Sequence, residues 1–393
     1  MKLSAPLGKL SLLVFLGSSF LQAGFYWALT IFIARNYSGQ VLGNYSYILA
    51  IITPLFVLSS LQLRTFLITS KERDLEARLK WLRLIVPIAS FTFGLLFILI
   101  FEEQSLWPYL LITLIKMGEI WSDLAYGIWQ KHQGLKKVNF ALCFRYLILL
   151  LVLIAASQLK TTFFVLLMTL AGLSVMIGAI DYFACGLNKI PVRSAGTLKI
   201  FLTTFSLSLS SLLTALLVNI PRYQLKQFFD VDEVGVFTLL FYYYVIPSMI
   251  INYCCQGLLK EFTKIVSAWR TIAFFLCGLV LISIGYYIIL IAGGDEINKW
   301  LYNREIAWGQ EIVMYITFSF LLGSAASFLH YALMALNIYH VQLKTNVLSA
   351  MTTLIIGFLL IPHSGIQGAF ISFMGGLLVQ LIVYGIIFSR IKL

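Results

Sequence analysis

The chain of 393 residues is 60% hydrophobic and only 11% charged, with a mean hydropathy of +0.93. Soluble globular proteins carry about 25% charged residues, so this chain has too few to cover a water-facing surface of its size. The net charge of +12 would suggest nucleic acid in a soluble protein. The five cysteines form no CxxC motif and have no His partner at metal-ligand spacing. We therefore predict an all-α integral membrane protein with no metal, no cofactor and no nucleic-acid partner.

Twelve apolar runs are long enough to cross the hydrocarbon core, which takes about 20 helical residues. The first is too long for the core of a signal peptide and lacks a convincing cleavage site, so it is kept as a span. In chain order the runs are 10–33, 44–69, 84–101, 106–128, 138–157, 162–184, 199–219, 234–258, 271–292, 310–335, 343–361 and 367–389.

The distribution of Lys and Arg predicts the orientation of these spans, because cytoplasmic loops carry an excess of both. One side holds Lys2, Lys9, Lys71, Arg73, Arg78, Lys80, Arg83, Lys131, Lys136, Lys137, Lys189, Arg193, Lys199, Lys260, Lys264, Arg270, Lys344, Arg390 and Lys392. The other holds Arg35, Lys160, Arg222, Lys226, Lys299 and Arg304, together with most of the loop acids, among them Glu102, Glu103 and Glu305. We therefore predict that both termini are cytoplasmic and that most of the positive excess reflects topology.

The two sides of the central loop at 186–198 resemble one another. The motif Leu-Gly-Asn-Tyr-Ser at 42–46 opens the second span, and Val-Gly-Val-Phe-Thr at 234–238 opens the eighth. Each is followed by a mid-span proline, Pro54 or Pro247. This repeat predicts two pseudo-twofold-related six-helix bundles, residues 1–190 and 191–393, with a cavity between them. Because proline frees a helical carbonyl, both prolines are predicted hinges for alternating access, although short motifs can also match by coincidence.

Several ionisable residues fall inside the predicted spans, where each costs roughly 3 kcal/mol at mid-helix and usually faces a protein or water-filled interior. Lys116, Glu119 and Asp123 are spaced i, i+3 and i+7, which places them on one face of the fourth span. Two interpretations are open. The stripe forms a cavity wall with a cation for an anionic substrate and acids that exchange protons, or Lys116 and Glu119 form an internal ion pair that locks helix packing.

The other intramembrane ions also have two interpretations. Arg145 is suited to bidentate phosphate binding, but Asp123 or Asp181 is an equally good structural partner. Arg64 lies near a cytoplasmic helix end, where it either binds substrate or extends to lipid headgroups. Asp181 is a candidate for ion coupling or internal pairing.

Two further residues lie in the second half. Arg222 follows Pro221 at the predicted external end of the seventh span, where it contacts a departing substrate or pairs with Asp230 or Asp232. His330 is typical of a hydrogen-bonded interior histidine, and it would be the catalytic group of a membrane acyltransferase if Asn337 assisted it. Nucleotide-binding and hydrolase motifs are missing from the sequence, which predicts that the protein is not an enzyme.

Four segments together resemble the Wzx-type polysaccharide flippases of the multidrug/oligosaccharidyl-lipid/polysaccharide (MOP) exporter superfamily. The similarity extends over nearly the whole chain, although each motif is weak alone. The segments are LGNYSYILAIITPLFVLSSLQLR (42–64), KMGEIWSDLAYGIWQK (116–131), NIPRYQLKQFFDVDEVGVFT (219–238) and IPHSGIQGAFIS (361–372). The resemblance matches Glu119 and Asp123 to an ExxxD pattern and Arg222 to a basic position, with Pro221 where many relatives have an acid.

This resemblance implies a MATE-like fold and a flippase for undecaprenyl-pyrophosphate-linked oligosaccharides in the bacterial plasma membrane, used for surface polysaccharides such as O-antigen. Membrane lipids and polysaccharide polymerase or export proteins are the implied partners. In this interpretation Lys116, Arg145, Arg64 and Arg222 bind the substrate head while the polyprenyl tail stays in lipid. A multidrug or cation antiporter of the same superfamily is the alternative transporter, for which an acid-dominated cavity is expected.

Overall fold

A computed structural model of the chain describes residues 9–70, 75–101, 106–257, 269–304, 306, 308–336, 338 and 340–390. Within these residues the chain is all-α, as predicted, with no strand. Helices satisfy every internal backbone hydrogen bond without water, which the hydrocarbon core requires. The helices are α1 (Lys9–Asn36), α2 (Gly39–Ser60), α3 (Leu63–Thr69), α4 (Leu75–Phe101), α5 (Leu106–His132), α6 (Leu135–Leu159), α7 (Phe163–Ala184), α8 (Thr197–Phe228), α9 (Val231–Gly257), α10 (Trp269–Tyr302), α11 (Gln310–Ala335) and α12 (His340–Arg390).

Where the structure describes them, the predicted apolar runs fall on these helices except at Leu61, Gln62 and Thr162. The described part of the chain has nine helices that are long and apolar enough to cross a membrane. The charges of Lys116, Glu119 and Asp123 keep α5 out of that set. The last two runs share α12, which leaves helical geometry at Gly365 (φ 51°) between them. The chain is therefore a multi-pass membrane protein, and its number of crossings stays a prediction. Lys2, Lys71, Arg73, Glu102, Glu103, Lys260, Lys264, Glu305, Asn337 and Lys392 lie outside the described residues.

The second predicted span is not one continuous helix. The backbone leaves helical geometry at Leu61 and Gln62, both with φ of 49°, and the short α3 follows. The Ser59 and Ser60 hydroxyls donate to the carbonyls of Phe56 and Val57, three residues earlier, and such bonds compete with the helical ladder. The helix runs through Pro54 and ends here instead.

The seventh span is longer than predicted and continues through Pro221 to Phe228 as α8. Arg222 therefore lies inside a helix, and its place at the external end of the membrane span stays a prediction. Proline removes one backbone N–H donor and kinks a helix. It does not end the helix where the residues before and after the proline are held in helical geometry by packing.

The chain forms two compact units: unit 1 (residues 1–32 and 48–212) and unit 2 (residues 33–47 and 213–393). The predicted bundles, 1–190 and 191–393, stay a prediction. Helix α5 is central to unit 1 and packs on α3, α4, α6 and α7. Gly118 of α5 lies against the backbone of Ser174 in α7, so neither helix tolerates a larger residue there.

Unit 2 is organised around α11, which packs on α9, α10 and α12. The repeated motifs meet within this unit. A Cβ atom on Gly43 would overlap the Val231 carbonyl, and one on Gly235 would lie 3.1 Å from the Gly43 nitrogen. The two glycines that opened the sequence repeat thus let the start of α2 pack against the start of α9.

Candidate functional site

The charged stripe of α5 begins with a closed network around Glu119. The Lys116 ammonium donates to Glu119 Oε2 at 3.0 Å and to the Tyr26 hydroxyl at 2.6 Å. Glu119 Oε1 accepts from the hydroxyls of Tyr26 at 2.5 Å and Tyr146 at 3.0 Å. Lys116 also lies 4.0 Å from the centre of the Tyr26 ring. The internal ion pair that was one of the two interpretations is therefore present, and two tyrosines complete it.

Asp123, one turn further along α5, is held by two arginines. Arg83 Nη2 donates to its Oδ2 at 3.0 Å, and Arg64 Nη1 lies 3.8 Å from its Oδ1. Arg64 also donates to Gln130 Oε1 through Nε at 3.1 Å and through Nη2 at 2.8 Å. Arg64 is therefore turned into unit 1 and bonded there, and it does not extend freely to lipid headgroups.

Arg145 on α6 bonds mainly to neutral groups of α5 and α7. Its Nη1 donates to the Ser122 hydroxyl at 2.6 Å and to the Gly118 carbonyl at 3.4 Å. Its Nη2 donates to the Ser174 carbonyl at 3.3 Å. Neither Asp123 nor Asp181 forms an ion pair with Arg145 within the described residues, although Asp181 lies within electrostatic reach of Arg145. Backbone carbonyls of the closely packed helices α5 and α7 accept hydrogen bonds from Arg145 instead.

Asp181 on α7 is almost completely buried. It lies beside Ser122 and Tyr126 of α5 and within electrostatic reach of Arg145. It thus belongs to the interior of unit 1, as the internal-pairing interpretation expected, although its neighbours are hydroxyl groups.

These side chains border a cavity of about 180 Å³ within unit 1. Its walls come from α1, the end of α2, α3, α5 and α6. The lining residues are Gln22, Ser60, Arg64, Glu119, Ile120, Asp123, Tyr126, Leu142, Arg145 and Tyr146. Two arginines and two carboxylates are among them, so their formal charges cancel. Four of the predicted site residues are therefore brought to one polar cavity in a membrane protein.

Unit 2 contains the remaining predicted cation, Arg222. Its Nε donates to the Thr238 hydroxyl at 3.1 Å, and its Nη1 donates to Asn219 Oδ1 at 2.7 Å. The guanidinium carbon lies 5.2 Å from the centre of the Phe241 ring and 5.9 Å from that of Phe237. Within the described residues Arg222 forms no ion pair, so the predicted pairing with Asp230 or Asp232 is wrong.

The other predicted residues lie apart from these clusters. Pro54 is inside α2 and Pro247 is inside α9, and both helices continue through them. His330 is buried on α11, with its Nδ1 3.4 Å from the Tyr384 hydroxyl and its ring against Tyr331 and Tyr384. This is the hydrogen-bonded interior histidine that the sequence favoured.

Several residues of the site were not predicted as such. Tyr26 and Tyr146 count as apolar in a hydropathy pattern, and Arg83 counted as a cytoplasmic loop charge although its side chain is only 3% exposed. Gln22 is an isolated amide in the first span. The one available signal was the spacing of Gln22 and Tyr26, which puts an amide and a hydroxyl on one face of α1.

The comparisons with known proteins agree with this architecture. No family model matches the chain. The capsular polysaccharide biosynthesis protein CapF of Staphylococcus aureus is 25% identical over 371 residues, which cover 91% of this chain and 93% of CapF.

The similar solved structures include transporters. The lipid II flippase MurJ in an inward closed conformation matches with a TM-score of 0.71 at 12% identity, covering 97% of this chain and 87% of MurJ. An inward-facing multidrug resistance MATE family transporter of the MOP superfamily matches with a TM-score of 0.67 at 13% identity, covering 93% of both chains. This chain has the MOP fold. The resemblance to polysaccharide flippases predicted from the sequence is thereby confirmed, and the MOP fold agrees with the all-α architecture described above.

Proposed function

We propose that this MOP-fold protein is a flippase that moves a polyprenyl-pyrophosphate-linked oligosaccharide from the cytoplasmic to the external leaflet of a bacterial plasma membrane. The observation that carries the proposal is the polar cavity of unit 1, lined by Arg64, Arg145, Glu119 and Asp123. Similarity to CapF, a capsular polysaccharide biosynthesis protein, supports a saccharide as the cargo. The translocated lipid-linked oligosaccharide serves surface polysaccharide synthesis. Both termini of the protein are cytoplasmic.

The energetics of such a cargo support this assignment. A pyrophosphate and its sugars cannot cross hydrocarbon unaided, because every desolvated charge and hydroxyl loses its hydrogen bonds to water. A protein wall that offers both donors and acceptors replaces those bonds, while the apolar tail remains in lipid. The protein then acts by alternating access, with Pro54 and Pro247 as bending points of α2 and α9.

Each predicted cation has a distinct part in this proposal. Arg64 and Arg145 line the cavity of unit 1, and Lys116 sets the position of Glu119. Arg222 of unit 2 has neutral hydrogen-bond partners, so its positive charge is available to an anionic phosphate. Glu119 and Asp123 hold Lys116, Arg83 and Arg64 in place. Asp181 lies within electrostatic reach of Arg145. Any exchange of protons between these acids and the solvent is secondary to their pairing.

Two other functions fit the same observations less well. A multidrug antiporter for cations is expected to have an excess of acid, whereas the charges that line this cavity cancel. A membrane acyltransferase would need a polar partner that activates His330, whose contacts are the tyrosines 331 and 384.

The proposal is tested in a bacterial strain that lacks the gene and is complemented with variants. Lys116→Gln and Arg145→Gln are each expected to lower surface polysaccharide at least tenfold, while the lipid-linked precursor accumulates. Lys299→Gln, at an exposed cation, is the matched control. Membrane levels of each variant are measured in parallel, and Lys116→Arg shows whether charge alone suffices. Normal surface polysaccharide from both variants would eliminate these residues as contacts of the substrate head.

A further inference from the structure

The charges that line the cavity of unit 1 are only part of the charge that acts on it. Glu119 is paired with Lys116, which does not line the cavity. Asp123 is paired with Arg83, which does not line it either. With these cations and the buried Asp181, the charged set around the cavity comprises Arg64, Arg83, Lys116, Arg145, Glu119, Asp123 and Asp181. Among the described residues the set thus has four cations and three carboxylates, which leaves a surplus of one positive charge.

Arg83 determines whether this surplus exists. Its Nη2 lies 3.0 Å from Asp123 Oδ2, whereas Arg64 Nη1 lies 3.8 Å from Asp123 Oδ1. Arg83 is thus the closer of the two arginines that share Asp123. Without Arg83 the set would have three cations and three carboxylates, and Arg64 would be the cation left beside Asp123 among the described residues. The charges around the cavity would then cancel.

The burial of Arg83 is not explained by stability. Its side chain is only 3% exposed, and its Nε and Nη1 are buried without a hydrogen-bond partner among the described residues. Buried donors without an acceptor destabilise a fold, and replacing a whole buried ion pair by apolar residues is often neutral or stabilising. An apolar pair in place of Arg83 and Asp123 would therefore suit the fold at least as well. What such a pair would not supply is the positive charge.

We infer that Arg83 is a positioning residue for substrate binding, which neutralises Asp123 from outside the cavity lining, so that the cavity keeps a net positive charge for the pyrophosphate of the cargo. This inference rests on the proposed function. Arg83 acts through Asp123 and Arg64, both of which line the cavity. Where little water screens the charges, one surplus positive charge attracts an anion strongly.

The test measures lipid binding to the purified full-length protein in nanodiscs of uncharged phosphatidylcholine. The probes are undecaprenyl pyrophosphate and undecaprenol, which has the same chain without the charge. Arg83→Met and Arg83→Gln remove the positive charge, and Arg83→Lys keeps it. The double variant Arg83→Met/Asp123→Asn removes one charge of each sign, so the surplus is the same as in the wild type.

Lys80→Met is the matched control. Lys80 lies three residues before Arg83 on α4 and is also buried. Its ammonium donates to the backbone carbonyls of Leu187 at 2.9 Å and Ile190 at 2.8 Å, and it forms no ion pair among the described residues. This variant therefore removes a buried cation from the same helix without changing the partner of a cavity carboxylate.

The inference predicts that the wild-type protein binds undecaprenyl pyrophosphate more tightly than undecaprenol. Arg83→Met and Arg83→Gln should each weaken binding of undecaprenyl pyrophosphate about tenfold and leave binding of undecaprenol unchanged. Arg83→Lys, the double variant and Lys80→Met should all bind undecaprenyl pyrophosphate within about threefold of the wild type. A purely structural role predicts no recovery in the double variant, since that variant lacks the Arg83 side chain as well.

Other results would overturn the inference. Unchanged binding in Arg83→Met, or an equal loss in Arg83→Met and the double variant, would show that Arg83 does not act through the charge of Asp123. An equal loss in Lys80→Met would show that binding needs any buried cation of α4. Failure of both Arg83→Met and Arg83→Gln to fold would make Arg83 a structural residue.

The same measurements separate this inference from the proposed function. If the wild-type protein bound undecaprenyl pyrophosphate no more tightly than undecaprenol, the proposed function itself would fail. If only the variants departed from these expectations, the proposed function would stand and the role of Arg83 would be rejected.

Discussion

The two units surround their buried cations differently. In unit 1, Lys116 pairs with Glu119, while Arg83 and Arg64 share Asp123. In unit 2, Arg222 contacts a hydroxyl, an amide oxygen and aromatic rings. Each unit is thus a helical bundle with embedded cations. Among the described residues, carboxylates pair with Lys116, Arg83 and Arg64 of unit 1 but not with Arg222 of unit 2.

The difference separates two uses of a charge in a membrane protein. Removing one partner of a buried ion pair leaves the other uncompensated, which costs about 3–5 kcal/mol. A cation held by neutral groups leaves no such partner behind, so its loss affects ligand binding more than stability. We therefore expect the ion-paired residues of unit 1, above all Asp123 and Arg83, to govern folding strongly, and Arg222 to govern transport.

The largest effect on stability is expected at Asp123. Asp123→Ala would leave Arg83, with its side chain 3% exposed, without a counter-ion, and should lower the free energy of unfolding by about 3–5 kcal/mol. Denaturant unfolding in detergent micelles measures this. The double variant Asp123→Ala/Arg83→Met should recover part of the loss. Unchanged stability of Asp123→Ala would show that the buried ion pairs of unit 1 do not govern its folding.

A smaller effect is expected from Tyr26→Phe, which removes one donor to Glu119 and one acceptor for Lys116. Hydrogen bonds to charged groups contribute about 1.5–3 kcal/mol, so stability should fall by an amount in that range. Tyr315→Phe, at a tyrosine with no hydrogen bond among the described residues, is the control and should match the wild type. Equal stability of the two variants would show that the tyrosines merely fill space around the ion pair.

Arg222→Met should separate stability from function. We expect a change of about 1 kcal/mol or less in unfolding free energy, since no carboxylate is left unpaired, together with a loss of surface polysaccharide of tenfold or more. Protein level, thermal unfolding and surface polysaccharide are measured on the same strain. A large loss of stability would make Arg222 a structural residue like those of unit 1.

The smallest effect is expected at the exposed pair of His132 and Glu76, 2.6 Å apart at the end of α5 and the start of α4. The His132 side chain is 53% exposed, and solvent-exposed ion pairs contribute little. Glu76→Gln should therefore change unfolding free energy by less than about 0.5 kcal/mol. A larger change would show that exposed ion pairs of unit 1 stabilise the fold as well as buried ones.

Much of the fold was predictable because membrane spans depend on local composition. Apolar length located the helices. The spacing of Lys116, Glu119 and Asp123 put on one face of α5 the two carboxylates, Glu119 and Asp123, that line the cavity of unit 1. Long-range partners were less predictable. Arg83 was assigned to a loop by its position, and it reaches Asp123 because α4 packs on α5. The break at Leu61 and Gln62 has neither glycine nor proline to mark it, because it is fixed by serine hydroxyls and by packing.

The most direct test of the account is a translocation assay with the purified protein in liposomes. A fluorescent form of the native lipid-linked saccharide is placed in both leaflets, and a membrane-impermeant quencher is added outside. The account predicts that wild-type protein makes nearly all of the fluorescence accessible to the quencher, whereas protein-free liposomes and Arg222→Met expose only the outer-leaflet share. Equal quenching with and without wild-type protein, in liposomes shown to contain folded protein, would contradict the assignment as a flippase.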